Sequence, residues 1–149
     1  MKNKGTEKIT ILIVAALMLT AVGTVFADVN PNSQEFANFA EAITGVQEVQ
    51  ETVNARIDTI ISQNPMGEKR FLEVYQEVQA TGNVPETLDQ QEVMVYQEAM
   101  NEINDVQMSS QEEMIAIVEQ ADLSVQRFNE IVMALQQDPS LQQALAELQ

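Results

Sequence analysis

Cysteine, histidine and tryptophan are absent from the 149 residues. Without cysteine there is no disulfide staple, no thiol nucleophile and no thiolate metal site. A lipid-bearing N-terminal cysteine of the bacterial lipoprotein kind is excluded as well. Without histidine the commonest general base and the commonest zinc ligand are missing. Glycine and proline are scarce, at 5 and 4 residues, and fall between apolar-periodic runs. That distribution suits helices joined by short turns rather than a strand-rich fold. Positive charge is scarce too: 7 Lys and Arg face 23 Asp and Glu, a formal net of -16. Such a surface repels nucleic acid and anionic lipid headgroups. Its ordinary use is solubility.

What is present is a core. Apolar residues make up 45% of the chain, enough for one folded domain of this length. They are distributed unevenly. Lys2, Lys4 and Lys8 precede a run from Ile9 to Val22 that is almost wholly apolar, followed by Gly23-Thr24-Val25-Phe26-Ala27. Val25 and Ala27 stand where signal peptidase requires small residues, and polar Asp28 follows. The pattern predicts a secretory signal peptide over 1–27, cut after Ala27, and a single helical domain over 28–149. The alternative is an uncleaved membrane anchor, but Ile9 to Phe26 is short for a span and no positive stop-transfer cluster follows it. After the cut, Arg56, Lys69, Arg70 and Arg127 are left against 22 acids, a net of -18.

The spacing predicts an all-α fold. Ser33 is a good N-cap, and Phe36, Phe39, Ile43, Val46, Val53, Ile57 and Ile60 recur by threes and fours over a helix at about 34–63, with Gln50 in the one empty place of the seam. Gly45 beside that seam is by default a tolerated glycine, the alternative being that it lets another helix approach closely. Asn64-Pro65-Met66-Gly67 ends the helix. A shorter helix is expected at about 68–80, facing inward with Phe71, Leu72, Tyr75 and Val78, and Thr81 to Pro85 breaks it. Thr87 with Gln90 has capping-box spacing for a long helix at about 87–121, with Ser109-Ser110 as a point of interruption. Its stripe is Leu88, Val95, Tyr96, Ala99, Ile103, Val106, Ser110, Met114, Ile117, Val118 and Ala121. Short helices follow at about 124–137, capped by Ser124, and 139–148, opened by Asp138-Pro139 and carrying Leu141, Leu145 and Leu148. The two long helices are expected to pair antiparallel, with the shorter ones packed on them as a small bundle. A dimeric coiled coil, with Gln50 selecting register, is the alternative.

The C-terminal stretch Leu123-Ser-Val-Gln-Arg-Phe-Asn-Glu-Ile131, with Leu135-Gln-Gln-Asp-Pro-Ser-Leu141 after it, resembles the bacterial domain of unknown function 4168 family. The matching places are Leu123, Ser124, Phe128, Asn129, Ile131, Asp138, Pro139 and Leu141. Phe36-Ala-Asn-Phe-Ala-Glu-Ala42 is similar to the family's first helix. The resemblance implies an exported envelope protein, with no activity or ligand assigned; the chain departs from the family pattern in the middle, where Pro65–Gly67 and 82–85 look like a longer insertion than the usual linker. The motif also has a structural reading. Ser124 and Asp138 cap helices, the four apolar residues anchor them, and Asn129 bonds a backbone group at a helix junction.

No catalytic apparatus is legible. The serines lie at caps, helix ends or polar faces with no histidine to activate them. Lys69 abuts Arg70 at a helix start. Glu112-Glu113 and the acids between Asp89 and Glu92 read as solvated faces, not calcium loops. An acid pair of the glycosidase kind needs a groove that a narrow bundle does not offer. No phosphate loop and no basic patch with interleaved aromatics occur. Several methionines read as core filler, an adaptable partner-binding surface being the alternative, and Met94 and Met108, which fall off the main stripe, are the ones to examine for exposure. The expected role is a non-catalytic exported binding or structural module. It would be without cofactor or metal, in the periplasm or secreted, acting through helix contacts with itself or an unknown protein partner, and free of the membrane once cut. A periplasmic holdase-like chaperone is the alternative.

Overall fold

The computed structural model describes residues 28–148, and the expected leader over 1–27 lies outside them. Five helices follow in order: α1 (Gln34–Ser62), α2 (Glu68–Thr81), α3 (Gln90–Gln120), α4 (Val125–Gln137) and α5 (Pro139–Leu148). No strand occurs among the described residues. The long helices α1 and α3 run antiparallel along each other, and the shorter helices cover their two ends. No helix among the described residues is long and apolar enough to cross a membrane.

Each boundary has a local cause. Ser33 Oγ accepts from Phe36 N at 3.2 Å and opens α1. Asn64, although polar, is buried in the following turn, where its Oδ1 accepts from Met66 N. Gly82, in the left-handed region at φ 73°, closes α2 by donating to Val78 O. Helix α3 begins later than expected. The capping box is Asp89 with Glu92, not Thr87 with Gln90, because the chain still turns through Pro85–Leu88. Aspartate at the cap and glutamate three residues on offer two carboxylates to two free backbone donors, which Thr and Gln match less strongly.

Helix α3 runs unbroken through Ser109-Ser110. Ser110 is buried in mid-stripe, and its hydroxyl donates to Gln107 O at 2.8 Å. Beyond α3, Asp122 N donates to Glu119 O and Leu123 N to Val118 O, which places Asp122 at φ 56°. These are the two bonds of a Schellman close, normally built around glycine.

The core divides in two. One cluster joins Val53, Ile57 and Ile61 of α1 to Phe71 and Val74 of α2 and to Tyr96, Ala99, Ile103 and Val106 of α3. The other joins Phe36, Phe39 and Ala42 to Val118, Leu123, Phe128, Ile131, Leu135 and Leu141. Half-buried Val46 touches both. Nearby, α1 and α3 approach closely: a Cβ added to Gly45 would stand 3.0 Å from Ile117 Cγ2. Any larger residue there requires the Ile117 side chain to give way by a few tenths of an ångström.

The seam of α1 differs from the expected one at three places. Val49, not Gln50, fills the gap, and Ala42 and Ile61 are more deeply buried than Ile43 and Ile60. An α-helix turns every 3.6 residues, so a contact line that begins at Phe36 drifts across a strict heptad by the sixties. In α2 the deepest residues are Phe71 and Val74, while Leu72, Tyr75 and Val78 flank them. In α5 Leu141 is buried and Leu145 half-buried, while Leu148 is exposed and lines an open groove with Ala37, Ala40 and Thr44 of α1.

Candidate functional site

Two places on the molecule combine polar groups with a shaped surface. The first is a cleft of about 230 Å³ between α2 and α3. Ile57, Phe71 and Ile103 make its floor. Tyr75 and Gln79 of α2 form one wall; Met100, Asn104 and Gln107 of α3 form the other. The α3 residues Met100, Ile103, Asn104 and Gln107 stand at i, i+3, i+4 and i+7. That is the four-residue frame into which a side chain from a neighbouring helix inserts. Apolar floor and amide rim together suit an amphipathic helix better than a charged small molecule. Beneath the cleft, Tyr96 packs on Phe71 with ring centroids 5.3 Å apart. Burial raises its phenol pKa, and neighbouring Tyr75 adds to the effect.

The second place is a charged node where α4 meets α1. Arg127 donates from Nε to Glu35 Oε1 at 2.8 Å and from Nη2 to Glu35 Oε2 at 2.7 Å. Its Nη1 reaches Glu130 at 3.1 Å, and Nη2 also points at Asp28 O. The bidentate bond with Arg127 holds the Glu35 carboxyl below the usual range, although partial burial opposes it. Glu35 correspondingly raises the Arg127 pKa. Sequence reasoning counted Arg127 only as one of four surviving cations. The available signal was its isolation, a lone arginine inside the motif segment with acids on every side.

The motif residues converge beside this node. Leu123, Phe128, Ile131 and Leu141 enter one core cluster with Phe36 and Phe39. The rings of Phe39 and Phe128 lie 5.0 Å apart. Ser124 Oγ accepts from Arg127 N at the start of α4. Asp138 Oδ1 accepts from both the hydroxyl and the backbone N of Ser140, Pro139 being the first residue of α5. These bonds, the hydroxyl's first, lower the Asp138 pKa. Asn129 is half-buried on α4. The motif thus builds the junction of α1, α3, α4 and α5.

Residues 32–145 match the family model described as Domain of unknown function (DUF4168). The chain belongs to that family. Neither a curated protein nor a solved structure matches it. The DUF4168 match spans both core clusters and both long helices, so the whole five-helix body is the family domain and not an appendage to it.

The remaining candidates are placed plainly. Lys69 stands in solvent, 3.6 Å from Glu73. Glu112 and Glu113 are exposed on α3, and Asp89 with Glu92 is occupied in capping. Among the described residues no group of three or more acids could hold a metal ion.

Proposed function

We propose that this DUF4168 domain is a non-catalytic module of the bacterial envelope. It would be exported by the leader over 1–27, cut after Ala27, and act by receiving a helix of a second chain in the cleft beside α2. The observation that carries the reading is the frame Met100–Ile103–Asn104–Gln107 facing Tyr75 and Gln79 over an apolar floor. Its volume accommodates one or two large side chains of an approaching helix. The strongly acidic surface favours a helix with basic flanks over an acidic copy of this domain.

Because the chain has no cysteine, Asn104→Cys places a single thiol at the rim. A thiol-directed cross-linker attached there in cells is expected to capture one defined partner in the envelope fraction. Met100→Glu is expected to abolish the adduct. A chain that stays monomeric and uncaptured, or one found uncut in the cytosol, overturns the proposal. A holdase reading draws instead on exposed Met94 and Met108, outside the cleft. Suppression of client aggregation that survives Met100→Glu would favour it.

A further inference from the structure

Three methionines occupy places that packing does not explain. Met94 is 69% exposed, Met108 57% and Met133 54%, whereas Met114 in the core is 1% exposed. Outward positions of these helices are otherwise filled mostly by Gln, Glu and Asn. With no cysteine, histidine or tryptophan in the chain, the thioethers are its most readily oxidised side chains. We infer that Met94, Met108 and Met133 are sacrificial sulfoxidation sites, which take up oxygen from peroxide while the fold is retained.

The step balances simply. A sulfur lone pair attacks one peroxide oxygen, the O–O bond breaks, an S–O bond forms and water leaves. Sulfur loses two electrons and the peroxide gains them. Sulfoxide formation damages a protein when the polar product is forced into a core or interface. At these three places the S–O group stays in water. Met108 carries an additional device: Asn104 Nδ2 donates to its Sδ at 3.6 Å. That bond occupies a lone pair and slows attack at Met108 relative to Met94. The same donor then meets the sulfoxide oxygen, a far stronger acceptor. Buried Met114, and Met100 on the cleft wall, are the residues so protected. Asn104 also lies on the cleft rim, but the sulfurs of Met94, Met108 and Met133 are exposed outside the cleft, so the inference does not depend on a partner binding there.

The test is peptide mass spectrometry of the purified protein under limiting hydrogen peroxide. Oxygen is expected first at Met94, then at Met108 and Met133, with Met114 unmodified and the helical circular-dichroism signal retained. The variant M94L/M108L/M133L should lose the early uptake, and its Met100 and Met114 should be oxidised at lower doses than in the parent. Oxidation of Met114 as early as Met94, a collapse of the melting temperature when only the surface sites are modified, or unchanged uptake in the leucine variant overturns the inference.

Discussion

The guanidinium of Arg127 and the carboxylate of Glu35 meet edge to edge through two parallel hydrogen bonds of 2.8 and 2.7 Å, across 92 residues of sequence. This pair fastens the first turn of α1 to α4, at the end of the molecule that the family motif builds. Both side chains are partly in solvent, so the contact is weaker than a buried one. Arg127→Ala is expected to lower unfolding free energy by about 1 kcal/mol, measured by urea titration. Arg127→Lys should recover only part of it, since an ammonium cannot make the paired bonds.

The same pair sets a pH dependence. Glu35 has a folded pKa below its unfolded value of about 4.3. Its contribution is therefore fully present above that value and is lost as pH falls through the lower folded value. Urea midpoints measured downward from pH 5 should fall more steeply for the parent than for Glu35→Gln. Equal slopes would remove Glu35 from the account.

Capping of α3 separates two neighbouring residues. Asp89→Ala removes the carboxylate that accepts from Glu92 N at 2.8 Å, and about 1 kcal/mol of stability should go with it. Thr87→Ala should leave the urea midpoint unchanged, because Thr87 lies in the turn before the cap.

Gly45 and Ile117 should be coupled. Gly45→Ala gains about 1 kcal/mol of helix propensity, but its Cβ meets Ile117 Cγ2 at 3.0 Å. In a double-mutant cycle with Ile117→Ala, the alanine at position 45 should be more favourable in the Ile117→Ala background than in the parent. Additive free energies would mean that α3 shifts without resistance.

Asp122 should tolerate glycine well. It holds a left-handed conformation that glycine adopts freely, and it places a negative charge at the C-terminal end of α3, where the helix dipole disfavours it. Asp122→Gly should raise stability by about 0.5–1 kcal/mol, read from the thermal midpoint.

Much of the architecture was legible because local signals agreed with one another. Ser33, Ser124 and Asp138-Pro139 are strong starts, Asn64 to Gly67 and Thr81 to Pro85 are strong breaks, and apolar spacing connected them. The differences have separate physical origins. Sequence spacing gives the face of a helix but not its slow rotation against a partner, so Gln50 was placed where Val49 sits. The start of α3 was missed because a Thr-Gln pair and an Asp-Glu pair overlap, and only the path of Pro85–Leu88 chooses between them. The cleft and the pairing of Arg127 with Glu35 were not legible, although the isolation of Arg127 was a signal. Glu35 and Arg127 lie on helices far apart in sequence, the cleft depends on how α2 sits against α3, and neither Met100 nor Asn104 differs by type from residues on an ordinary outer face.

The division of the interior into two clusters, bridged at Val46, has a mechanical consequence. Deuterium labelling should detect two protection levels within single helices, because α1 and α3 each belong to both halves. The half containing α2, flanked by two glycines at positive φ, is the one expected to exchange faster. A partner that wedges into the looser half would thus find it yielding, while its grip on the remainder stays firm.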